Sequence, residues 1–119
     1  MSKIDIKTTL ISPDATTKNE IKGILLEQKL LYEENNSKIA ITIGDDSVTM
    51  VARSEEHILN LTFKEETETH GIYTLLSTDS VLNINIFTKL LQIENNYIKI
   101  IYNFNDEERC YEIEYEVIV

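Results

Sequence analysis

The chain is poor in cysteine, proline, glycine and positive charge, and each shortage closes off a class of protein. One cysteine, Cys110, permits neither an intramolecular disulfide nor a cysteine-built metal cluster. One proline and three glycines, with no Ser/Gly-rich linker, leave no boundary at which to divide 119 residues. Residues 1–119 are therefore read as a single domain, long enough to bury one core without staples. Eleven Lys and Arg stand against twenty-one Asp and Glu, a net charge of −10. Nucleic acid and anionic membrane surfaces bind by releasing counterions to basic side chains, so both are discounted as partners. A basic protein remains compatible with such a surface. The start, "MSKIDIKTTL", lacks the apolar core of a signal peptide or anchor, from which a cytoplasmic location is expected.

What the chain does contain is alternation. Ile4, Ile6, Thr8 and Leu10 alternate with Asp5, Lys7 and Thr9; Ile39, Ile41 and Ile43 share a face; Val48, Met50 and Ala52 follow after "GDD". Leu59, Leu61 and Phe63 oppose Asn60, Thr62 and Lys64. Near the C-terminus Ile98, Ile100, Tyr102 and Phe104 repeat the design, and Tyr111, Ile113, Tyr115 and Val117 face away from Glu112, Glu114 and Glu116. A period of two places successive side chains on opposite faces of a strand, one dry and one wet. Short connections make neighbouring strands antiparallel. In "HGIYTLLSTDSVLNINIF", residues 70–87, Ile72, Leu76, Leu82, Ile84 and Ile86 are expected inside, with Asn83 and Asn85 in water. Ile72, Ile84, Ile100 and Ile113 should then converge on one interior. The pattern predicts an all-β protein, a barrel or sandwich.

One segment is ambiguous. In residues 17–36 the spacing of Ile21, Ile24, Leu25, Leu31 and Tyr32 fits a helix, with Thr17 and Glu20 as a capping box. Gly23 argues against that helix, and a bent hairpin turning near Glu27-Gln28-Lys29 fits equally well.

From Lys38 onward the order of pieces is "KIAITIGDDSVTMVARSEE", "LNLTFKE", "THGIYTLLST", "VLNINI", "YIKIIYNF" and "YEIEYEVIV". This order resembles the DUF1934 or YwiB-like proteins, a bacterial family of uncharacterised function. Arg53 matches the family's strand-end arginine, and Thr69, Gly71 and Thr78 match its Thr-x-Gly step and closing threonine. "IDIKTTLI" and "LLYEE" resemble the family's first and third strands. The resemblance implies a calycin-like (lipocalin-like) up-and-down antiparallel barrel of about eight to ten strands. It also implies that residues 20–34, shorter here than in the family, form a contracted hairpin.

No reaction chemistry stands out. The three glycines are scattered, so no loop cradles phosphate. Cys110 sits in "DEERCYE", where negative neighbours disfavour a thiolate. His57 and His70 lack metal-ligand spacing, and the carboxylate pairs of "YEENN", "SEEH", "KEETE" and "NDEE" fall in turns. The protein is not expected to be an enzyme, and no cofactor or metal is expected. Arg53 carries a planar fork suited to a carboxylate at a barrel mouth. Tyr73, Tyr102 and Tyr115 combine apolar area with a polar tip, as cavity walls do. These four are the candidate ligand-binding residues. The expected function is to hold a small apolar or amphipathic, carboxylate-bearing ligand in the barrel interior. The alternative is an interaction module that docks a basic partner on the stripe of Glu112, Glu114 and Glu116.

Overall fold

A computed structural model describes residues 1–118, and among these it contains strands and turns but no helix. No helix is therefore long and apolar enough to cross a membrane. The strands are β1 (Ser2–Ile11), β2 (Thr16–Leu26), β3 (Lys29–Glu34), β4 (Ser37–Ile43), β5 (Ser47–Arg53), β6 (His57–Lys64), β7 (Thr67–Leu75), β8 (Ser80–Glu94), β9 (Tyr97–Phe104) and β10 (Glu107–Val117). Each pairs antiparallel with the next, and β1 also pairs with β10, so ten strands close into one up-and-down barrel. The ambiguous segment is the hairpin of β2 and β3, turning at Glu27-Gln28.

Turn chemistry explains why the reversals fall where they do. Asn35-Asn36 and Asn105-Asp106 both hold positive φ, the two-residue geometry whose twist matches a hairpin. Asn and Asp tolerate that region because their short polar side chains bond locally. Asn35-Asn36 thus reverses a hairpin and does not end a helix.

The inward faces form a continuous core. Ile4, Ile6, Leu30, Ile41, Val48, Phe63, Ile86, Ile98, Ile100 and Ile113 are essentially inaccessible, and Tyr32, Ile39, Leu61 and Tyr102 are buried beside them. Burying one such aliphatic side chain contributes about 1.5–3 kcal/mol. This interior is filled by side chains.

Three of the residues expected inside need correction. Gly71 stands opposite Ile84, so Ile72 stands opposite Asn83 and points outward, half-exposed. Gly71 occupies the inward place because Leu61 fills it: a methyl added there would lie 2.5 Å from Leu61 Cδ2 and 2.9 Å from the Asn60 carbonyl oxygen. Ile84, Ile100 and Ile113 do converge on the interior; Ile72 does not. Leu82 lies on the inward side of its strand, opposite Tyr73, yet is 62% exposed because that part of β8 projects past the barrel. Leu76 lies beyond β7, in the turn, where its N–H donates to the Glu56 carbonyl.

Gly71→Ala is expected to lower stability by about 1–3 kcal/mol through overpacking against backbone. Ile113→Ala should cost about 2–5 kcal/mol through the cavity it leaves. Urea midpoints measure both, and a neutral Gly71→Ala would contradict the register of β7 against β8.

Candidate functional site

The strands are unequal in length, and the inequality creates a wide hollow. β8 spans fifteen residues, but its pairing with β9 begins only at Ile86 opposite Phe104. Ser80–Asn85 is therefore held by β7 alone, as one half of a two-stranded arm. Between this arm and the β9–β10 turn lies a groove of about 830 Å³. Tyr73, Leu82, Ile84, Ile86, Phe87 and Phe104 supply its apolar surface; Asn83, Asn85, Asn103 and Asn105 supply amides; Glu68 and Asp106 supply carboxylates. No lysine or arginine lines it. Tyr73 is steadied by stacking on His57, with ring centroids 5.2 Å apart. On the outer side of the arm His70 Nδ1 and Asn85 Oδ1 lie 2.6 Å apart across paired strands.

Toward the far side of the barrel a second gap in the ladder is filled. β2 and β3 share only the pairs Ile24–Leu31, Leu25–Leu30 and Leu26–Lys29. Beyond Gly23 the strands part, and the Glu34 carboxylate spans the opening. Its Oε2 accepts from the Thr8 hydroxyl on β1 and, at 2.9 Å, from Asn19 Nδ2 on β2. Its Oε1 accepts from the Tyr111 hydroxyl on β10 at 2.9 Å. Tyr111 meets the Tyr32 hydroxyl at 2.8 Å, a link that reaches across the interior because β3 and β10 are not neighbours. Hydrogen bonds to an ionised group are about twice as strong as neutral ones, and these four side chains serve one carboxylate directly or in series.

The four residues singled out in the sequence are dispersed. Arg53 is exposed on the outer face of β5 and pairs with no carboxylate among the described residues. Tyr73 lines the groove. Tyr102 is buried against Phe63, ring centroids 5.1 Å apart, with its phenol raised by burial and partly relieved by Arg109. Tyr115 points inward opposite Ile6, near the opposite end of the barrel from Tyr73. Sequence reasoning passed over Arg109 and Glu34, the charged residues on otherwise apolar faces. Both were readable: Glu34 continues the alternation of Leu30 and Tyr32, and Arg109 that of Tyr111 and Ile113. Arg109 lies over the Phe104 ring, 5.4 Å from its centroid, and pairs with Glu107 at 3.3 Å. The Cys110 thiol is pushed up by burial and by Glu112, which disfavours the thiolate. Among the described residues no group of three or more His, Cys, Asp or Glu side chains gathers in metal-holding geometry.

The Glu34 network makes two predictions. Glu34→Ala strands the buried Thr8 hydroxyl and leaves Tyr111 with Tyr32 alone, and should cost about 2–3 kcal/mol in urea unfolding. Burial, foremost, raises the Tyr32 and Tyr111 phenols well above the ordinary value of 10.0. The folded chain then keeps protons that the unfolded chain releases, so their contribution is intact below about pH 10 and declines above it. The decline should approach about 1.4 kcal/mol per pH unit for each tyrosine. Tyr32→Phe and Tyr111→Phe should each flatten that alkaline limb by one proton.

Comparison with known proteins yields the fold. No protein-family model and no curated protein matches the chain. Among solved structures, the crystal structure of ywiB protein from Bacillus subtilis is similar, with a TM-score of 0.74. The alignment covers 99% of this chain and 93% of that one at 16% identity. At that identity the likeness establishes a shared architecture: this chain has the fold of a small barrel of which ywiB is a solved example.

Proposed function

We propose that the protein is a non-enzymatic binding module whose ligand lies in the groove between the β7–β8 arm and the β9–β10 turn. The observation that carries this reading is Leu82, an aliphatic side chain 62% exposed on the inward side of a strand, facing a hollow of about 830 Å³. Small-molecule sites are about 300–1,000 Å³, mostly apolar, with a few placed polar groups. The groove falls in that size range, walled by six apolar residues, four asparagines and two carboxylates, whereas the residues at the barrel's centre are inaccessible to solvent.

The ligand is amphipathic. Its apolar part would cover Leu82, Ile84 and Phe104, and its polar part would meet asparagines and the carboxylates of Glu68 and Asp106. A cationic or neutral head suits that rim better than the carboxylate anticipated for Arg53, which is not in the groove. The nearer arginine, Arg109, already has its charge answered by Glu107. Docking of a basic partner on the outer stripe of β10 draws less support. Glu112 pairs with Lys99 at 3.6 Å and Glu114 stands opposite Lys7, which leaves only Glu116, opposite Asp5, without a neighbouring cation across the strands.

Octyl and decyl amines, glucosides and carboxylates, titrated below their micelle concentrations by thermal shift, test the reading. Amines and glucosides should raise the melting temperature and carboxylates should not. Leu82→Asn should weaken binding about tenfold or more, from the lost burial of one leucine, while leaving the unliganded melting temperature unchanged. Equal shifts in wild type and Leu82→Asn, or none in either, would overturn it.

A further inference from the structure

Two of the gaps in the barrel's ladder, those beside β2 and β8, are handled in different ways. Along β2 the gap is bridged by side chains, with Glu34 accepting from Asn19 of β2 and Thr8 of β1. Along β8, among the described residues, no strand pairs with Ser80–Asn85 on its second side: β7 holds the first, and β9 has already ended. In an antiparallel sheet every second residue directs its N–H and C=O at a given neighbour, so this run presents about half its backbone groups to the groove. The groove's lining agrees. Six consecutive residues, Leu82 to Phe87, border it, odd and even alike. A wall formed by the face of a sheet would expose every second residue; one formed by a strand edge exposes all of them.

We propose that the groove receives an extended peptide segment of another protein, which adds to β8 as a further strand along Ser80–Asn85 and carries apolar and basic side chains in alternation. This rests on the binding-module reading above and names the class of its ligand. Natural sheets blunt a free edge with lysine, proline or a bulge. Ser80–Asn85 contains no charge and no proline, and the bulge of β8 lies further on, between Thr88 and Leu90. An unguarded edge is a template for a strand, and added strands bind through main-chain bonds with side chains read in alternation. Six residues span about 20 Å, enough for a short linear segment.

Side-chain chemistry narrows the partner. Leu82 is 62% exposed on the inward side of the arm, so one face of an added strand meets apolar surface. Glu68 and Asp106 are the charged residues of the rim, which favours lysine or arginine. A second copy of this chain, with its own net charge of −10, is repelled.

The test is fluorescence anisotropy of the full chain with a labelled peptide of about eight residues alternating valine and lysine, long enough to cover the edge. Two further peptides carry N-methyl groups on alternate backbone amides, one in each phase. The parent should bind, one phase should bind at least about tenfold more weakly, and the other should stay within about threefold, because only one phase removes ladder donors. The same peptide with glutamate for lysine should not bind. Leu82→Lys, which places a guard on the edge at an exposed position, should abolish binding without changing the melting temperature. Equal binding of both methylated peptides, binding of the glutamate peptide, or concentration-dependent dimerisation that Leu82→Lys removes would each overturn the proposal. Failure of the parent peptide while octylamine still binds would sink the peptide class and spare the groove; failure of both would sink the two readings together.

Discussion

Between Thr16 and Gly23, β2 runs without a ladder partner on its β3 side, and the Glu34 carboxylate spans the opening. Backbone groups left unpaired inside a protein cost about as much as a lost hydrogen bond, so a closing barrel must answer for every lapse in its ladder. Gly23 shows how tightly the seam begins. A methyl there would sit 2.6 Å from the Leu31 carbonyl oxygen and 2.7 Å from Ile6 Cδ1. Past that crossing the strands diverge, and a polar staple from β3 to β1, β2 and β10 takes over from the backbone. Burial of Tyr32 and Tyr111 keeps both phenols protonated, so Tyr111 can donate to the carboxylate.

The β8 edge faces the same constraint and meets it with solvent. Its neighbour ends early because Asn105-Asp106, both at positive φ, turn the chain back after Phe104. Alternation along the arm then loses its usual meaning: Leu82 is on the dry side of a strand with nothing to dry it, while Ile72 and Val81 are apolar on the wet side. Exposed apolar side chains gathered on one element suit an interaction site. Others occur elsewhere, at Met1, Ile11, Leu26, Val117 and Ile118, but Leu82 and Val81 are more exposed than all of these except Met1. Much of the outer wall is laced with pairs such as Lys22–Asp5 and Lys89–Glu108. Exposed pairs of that kind add little to stability and serve mainly to keep the wall polar.

Strand content, antiparallel order and most of the core follow from the sequence, because a period of two has one physical meaning wherever one side is buried. Ile4, Ile41, Ile100 and Ile113 are inward as their spacing demands. The same rule, followed through Leu30, Tyr32 and Glu34, leads to the carboxylate at the seam; a charged residue on an apolar face is the signal that was available. Helical spacing in residues 17–36 was overridden by tertiary pairing: β2 lies against β1 over ten residues, a gain no local helix could match.

Three-dimensional pairing alone decided the remainder. Alternation cannot say which of two phases faces inward when both carry apolar residues, so Ile72 and Gly71 were assigned only by their partners across β8. It cannot say where one strand outlasts its neighbour, so the free edge of Ser80–Asn85 and the groove beside it were invisible in the chain. Nor could it bring Tyr111 to Glu34, seventy-seven positions apart, since that meeting depends on β1 lying between β2 and β10. Local sequence sets the face and the turn; register, strand length and closure arise from the whole sheet, and the candidate site is built from those.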